Sequence, residues 1–186
     1  MTWRWSLFCF LSFRALLALL SMVMLGSGPC GAQVVINEVY YDHAGKDEGW
    51  EFVELRSADS AARDLSGWRL EALDGATGQR STLWTAPAGF LIEAAQLVCV
   101  AGASRDPAPG LLLRGVLGNG PDAVRLVSTA GVVDLVGYGP CALSELSESS
   151  PAADVAPGSS LSRKPDGFDS DRTGVDFVAA APTPGR

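Results

Sequence analysis

From Val34 onward the chain alternates between short apolar runs and turn residues, and no stretch keeps a 3.6-residue period. The runs cover residues 34–41, 51–56, 67–73, 81–85, 96–100, 123–128 and 132–138. Within them, Trp68 and Leu70 alternate with Arg69 and Glu71, and Val124 and Leu126 with Ala123 and Arg125. A two-residue period of this kind predicts strands with one face buried and one wet. Thr129-Ala130-Gly131 reads as a hairpin turn, and Asp74-Gly75 and Asn119-Gly120-Pro121-Asp122 as further turns. About seven to nine such strands predict an all-β, antiparallel sandwich of two sheets. Residues 139–160, rich in Ser, Ala and Pro, form a long unpatterned loop, and the polar tail 163–186 is expected to lie along the domain without a second core.

The first 32 residues follow another pattern. Arg4 and Arg14 precede an apolar run at 15–25, and small residues follow up to Ala32, with no acidic residue throughout. A basic start, a short apolar core and a small-residue exit predict a secretory signal peptide over 1–32, leaving a mature domain at 33–186. An uncleaved anchor and a lipid attached at Cys30 are the alternatives. The run is shorter than the ~20 residues that a spanning helix needs. With the signal removed no membrane span is expected, and the protein is read as secreted or held at the cell surface.

Charge and cysteine usage narrow the chemistry. Loss of Arg4 and Arg14 leaves 12 of the 14 basic residues against 21 acidic ones, a formal charge of −9. Nonspecific nucleic-acid binding depends on basic side chains, so a protein or a surface glycan is the expected partner. Of the four cysteines, Cys9 and Cys30 belong to the signal. Cys99 and Cys141 remain, either as two separate thiols or as a disulfide closing a loop of about 40 residues, worth roughly 3–4 kcal/mol. The single histidine, His43, lies in a loop, and the sequence holds no nucleophile elbow, Cys/His pair or phosphate loop. The expected function is therefore binding without catalysis.

Several segments, taken in order, carry a resemblance. They are Val35-Ile36-Asn37-Glu38-Val39, Glu51-Phe52-Val53-Glu54-Leu55, Leu65-Ser66-Gly67-Trp68-Arg69-Leu70, Gln96-Leu97-Val98, Asp122-Ala123-Val124-Arg125-Leu126 and Gly131-Val132-Val133-Asp134. Ser160-Leu161-Ser162-Arg163, Asp176-Phe177 and Thr183-Pro184-Gly185 close the series. Together they resemble the lamin-tail domain as found in exported bacterial proteins. The resemblance implies an immunoglobulin-like β-sandwich acting as an interaction module. The chain lacks the coiled-coil heptads of lamins, so filament assembly is not implied. Bacterial relatives often accompany secreted hydrolases or nucleases, which makes a calcium-stabilised accessory subunit the alternative function and a carboxylate-based, metal-dependent hydrolase a remote one.

Four sets of residues are candidates for chemistry or structure. No cofactor is required, but the loop after the first strand carries Asp42, Asp47 and Glu48, oxygen ligands of the kind calcium takes. Asp166, Asp169 and Asp171 form a second acidic stretch without the ligand series of an EF-hand. Glu38 sits inside an apolar strand, where an unpaired carboxylate is costly, and Arg163 of the closing motif is its expected structural partner. Trp68 is expected in the core. Tyr40, Tyr41, Trp50 and Trp84 are the candidates for a ligand-binding face. Exposed strand edges leave the oligomeric state open.

Overall fold

The alternating runs become strands wherever one set of side chains can enter a shared core. The computed structural model describes residues 34–105, 110–140 and 143–186; the signal peptide expected at 1–32 and Cys141 lie outside them. In chain order the strands are β1 (Val34–Tyr40), β2 (Phe52–Ser57), β3 (Arg63–Asp64), β4 (Arg69–Asp74), β5 (Arg80–Thr85) and β6 (Leu91–Ile92). They continue with β7 (Leu97–Ala101), β8 (Leu111–Leu112), β9 (Asp122–Val127), β10 (Val132–Tyr138), β11 (Ser160–Arg163) and β12 (Phe177–Ala180). A single 3-10 turn (Ser144–Leu146) and one helical turn, α1 (Thr173–Asp176), complete the described elements.

Six strands form one sheet in the order β12-β11-β1-β2-β7-β8, four form the facing sheet in the order β10-β9-β4-β5, and β3 pairs with β6. Pairing is antiparallel except between β7 and β8. The core between the sheets takes Ile36, Val39, Val53, Leu55, Val98 and Val100 from one side and Leu70, Leu83, Val124, Leu126 and Val136 from the other. Trp68 packs against it, partly buried. This is an immunoglobulin-like antiparallel sandwich.

Two departures from the sequence expectation bear on function. The tail does not merely lie along the domain: β11 pairs with β1 and β12 with β11, so the closing segment supplies two strands of the larger sheet. The long loop is also fastened over its described part. Ala152 donates to the Gly137 carbonyl at 2.8 Å, and Leu146, Ala152 and Val155 are buried. Among the described residues no helix is long and apolar enough to cross a membrane.

Candidate functional site

Side chains on the six-stranded sheet divide between the core and an outer face. In β1 the pairing register shifts between Ile36 and Glu38, a bulge that leaves Asn37 as the extra residue. Beyond it, Val39 and Tyr41 turn to the core and Glu38 and Tyr40 to the outer face. Adjacent strand residues point opposite ways, which separates the candidate aromatic face. Tyr41 stacks on Tyr138 inside the core, with ring centroids 4.1 Å apart, and donates its hydroxyl to Asp154 at 2.6 Å. Burial and that bond push its phenol well above the ordinary range. Trp84 is buried edge-on to Phe90. Neither ring is available to a ligand.

Tyr40 and Trp50 do come together, with companions that the sequence pattern alone does not reveal. On the outer face Tyr40 stacks on Phe52, and the guanidinium of Arg105 lies 4.6 Å from the Phe52 ring centre and 5.6 Å from that of Tyr40. Arg105 also donates to the Trp50 carbonyl at 2.7 Å. His43 meets Tyr40 edge-on and stacks on Trp50 at 4.9 Å, and Trp50 keeps 36 % of its surface exposed. Tyr40 and Phe52 are covered, so the accessible part of this patch is Trp50, His43 and Arg105. Cys99 packs under the same cluster as a free thiol, which burial, with Glu54 beside it, pushes up to about 12.

The early acidic loop does not gather into a metal site. Asp47 accepts from the His43 amide at 2.8 Å and from the Asn119 side chain at 3.1 Å. Glu48 pairs with Lys46 on the open surface. Burial and then the charges of Asp47 and Asp154 push the Asp42 carboxyl up. Nearby Glu51 is fully buried, with one carboxylate oxygen accepting from the Leu117 amide at 2.8 Å and the other unpartnered. Burial raises its pKa to about 7. Among the described residues, the carboxylates close enough to share an ion are Asp134, Glu148 and Asp169.

The expected Glu38–Arg163 pair is not formed. Glu38 lies opposite Ser162 in the β1–β11 register, so Arg163, one residue on, must face the other side of the sheet. There Arg163 is completely buried and bridges Asp134 at 2.9 Å, Asp169 at 3.1 Å and Asp176 at 3.2 Å. It also donates to the carbonyls of Ile36 and Phe168 and lies 4.6 Å from the Phe177 ring centre. Glu38 is instead held on the outer face by the Ser160 hydroxyl and by the amide and hydroxyl of Thr183. Glu54, its cross-strand neighbour, accepts from Asn37 at 3.1 Å and from the Gly185 amide at 2.6 Å. The reasoning that singles out Glu38 applies equally to Asp134, which stands alone among Val133, Leu135 and Val136.

The motif residues Asn37, Glu38, Glu54, Asp134, Ser160, Arg163, Asp176, Thr183 and Gly185 thus act together, fastening the closing segment to β1 and β2 from both faces. A β-sandwich closed in this way has its polar motif residues turned to internal fastening. The family model of the Lamin Tail Domain matches residues 29–140, and the chain belongs to that family, whose domains are immunoglobulin-like and non-enzymatic. No curated protein matches the chain. The segment carrying β11 and β12 lies beyond the matched residues but completes the sheet that they begin.

Proposed function

We propose that the chain is an exported, non-catalytic binding module whose contact face is the patch of Trp50, His43 and Arg105 on the outer side of the six-stranded sheet, and that its partner is a protein. The observation that carries this reading is the exposed Trp50 stacked on His43 beside Arg105, which is anchored on Tyr40 and Phe52. Tryptophan and arginine are enriched among the residues that dominate protein–protein binding, and here Arg105 is already held by the Trp50 carbonyl and two aromatic rings. The strongly acidic composition argues against a nucleic-acid partner. Export is supported by the basic, apolar and small-residue sections of residues 1–32.

The test measures binding of the full chain to fractionated surface proteins of the source cell, and in parallel to a glycan array. Trp50→Ala and Arg105→Ala, each with circular dichroism and Tm unchanged, are expected to weaken protein binding at least tenfold. Equal binding by wild type and both variants would remove this face from the reading. Binding confined to glycans would reassign the partner. Recovery of the chain only from the cytoplasm, with residues 1–32 intact, would overturn export.

A further inference from the structure

The Arg163 cluster has a second side that its structural role does not use. Four carboxylates, those of Asp134, Asp169, Asp176 and Glu148, gather around one guanidinium, and Arg163 bridges only the first three of them. Asp134 and Asp176 are hydrogen-bonded through both carboxylate oxygens. Asp134 accepts from Arg163 and from the amides of Ile36 and Leu135, and Asp176 from Arg163 and from Ser170. Asp169 and Glu148 are not. One carboxylate oxygen of each, Oδ2 of Asp169 and Oε2 of Glu148, is buried without any hydrogen-bond partner, and the Asp169 side chain is only 3 % exposed. Leaving such atoms unpaired away from water is costly, and two in one place call for a shared partner.

We propose that Asp134, Glu148 and Asp169 form a site for one hard divalent cation, calcium in the first place, which fastens the long loop to the closing segment. Ligand oxygens from the three side chains lie within 4.8 Å of one another, a separation that one ion can bridge. All are carboxylate oxygens, which suits calcium and does not suit a soft metal. Three side chains leave further coordination positions, which water would complete. The three ligands come from three segments: β10, the loop after the 3-10 turn, and the stretch before α1. Glu148 is aimed by a fixed backbone, since its amide donates to the Thr173 hydroxyl and its carbonyl accepts from the Thr173 amide at 3.1 Å. Asp169 is held by Arg163 and by the Asp171 amide, both on its other oxygen. The site is remote in sequence from Asp42, Asp47 and Glu48, and it does not depend on the aromatic face being a contact surface.

The experiment titrates calcium, and separately magnesium, into the full chain stripped with EDTA at pH 7.5, by calorimetry and by thermal unfolding. One calcium per chain is expected. At calcium about 100-fold above its Kd, Tm should rise by about 5–10 °C. Glu148→Gln and Asp169→Asn should each weaken binding at least tenfold, while Asp47→Asn leaves it unchanged. Hydrogen exchange on the wild-type chain locates the ion without relying on any variant's folding: calcium should slow exchange in 143–155 and 166–176. No heat and no Tm shift with either metal would overturn the proposal, leaving the two orphaned oxygens to a shared proton. Protection confined to 42–50, or binding undiminished in both variants, would overturn it equally.

Discussion

The closing segment is attached to the rest of the sandwich twice, once on each face of the six-stranded sheet, and the two attachments solve the same problem differently. On the core side, Asp134, Asp169 and Asp176 are held by a charge, the fully buried Arg163. On the outer side, Glu38 and Glu54 are held by neutral donors: the Ser160 hydroxyl, the Asn37 amide, the hydroxyl and amide of Thr183 and the amide of Gly185. A guanidinium can gather several carboxylates from distant segments, because its planar fork offers five N–H groups. Backbone amides and hydroxyls hold one carboxylate each, and only where the chain runs close by. Arg163 therefore organises long-range topology, whereas Glu38 and Glu54 register the last few residues against β1 and β2.

Arg163→Met should have the largest effect. The change leaves three buried carboxylates without their shared partner, and it should cost on the order of 3–5 kcal/mol in urea unfolding. Hydrogen exchange should quicken across β10, β11 and β12 together. A cost confined to β12 would mean that Arg163 is a local staple. Next in size is Glu38→Ala, which strands the Ser160 hydroxyl and both Thr183 groups and should cost about 2–3 kcal/mol. Its exchange signature should be narrower, limited to β11 and the amides of Thr183 and Gly185. If Glu38→Ala proved as costly and as widespread as Arg163→Met, charge would not be what separates the two attachments.

Much of this architecture was legible, and the parts that were not share a cause. The seven strands with apolar alternation, β1, β2, β4, β5, β7, β9 and β10, fall within one or two residues of the runs read from the sequence. Strands β11 and β12 escaped because Ser-Leu-Ser-Arg and Phe-Val-Ala-Ala carry no two-residue apolar pattern; buried polar groups hold β11, and β12 pairs onto it with Phe177 alone buried. Parity alone could have prevented one error, since Tyr40 and Tyr41, as neighbours on a strand, cannot share a face. The Glu38–Arg163 expectation failed on register, which sets Ser162 opposite Glu38 and turns Arg163 to the other side. The grouping of Asp134, Glu148 and Asp169 depends on three segments meeting in space, and no local spacing encodes that. Cys99 is free beneath the aromatic patch, with Cys141 outside the described residues.

Glu51 is a buried carboxylate with too few donors. It is buried with one oxygen bonded to the Leu117 amide and the other unpaired, and its pKa is raised from the ordinary 4.5 to about 7. The folded chain therefore holds this proton more tightly than the unfolded chain does. Between about pH 4.5 and 7 stability should fall as pH rises, and above that window the loss should level off. The size is on the order of 1–3 kcal/mol. Urea unfolding at pH 5 and pH 8 checks it: Glu51→Gln should remove that share of the slope. An unchanged slope would show Glu51 to be ionised throughout and hydrated.

The smallest effect belongs to a pairing with the same chemistry as the Arg163 cluster but a wetter setting. On the outer face of the four-stranded sheet Glu71 accepts from Arg69 at 3.0 Å and from Arg125 at 2.7 Å. Burial raises its carboxyl, but the bonds and charges of the two arginines outweigh that and leave it below the ordinary range. Here both arginines reach solvent, with the Arg69 side chain 41 % and the Arg125 side chain 14 % exposed. Either can be lost while the other and water still serve Glu71. Arg125→Met should accordingly cost no more than about 1 kcal/mol, and raising the salt to about 0.5 M should shrink that cost further because screening reaches exposed charges. The Arg163→Met cost should hardly respond to salt, since no counterion reaches a guanidinium with no exposed surface. Should the two costs converge at high salt, burial would not be what gives Arg163 its weight in the fold.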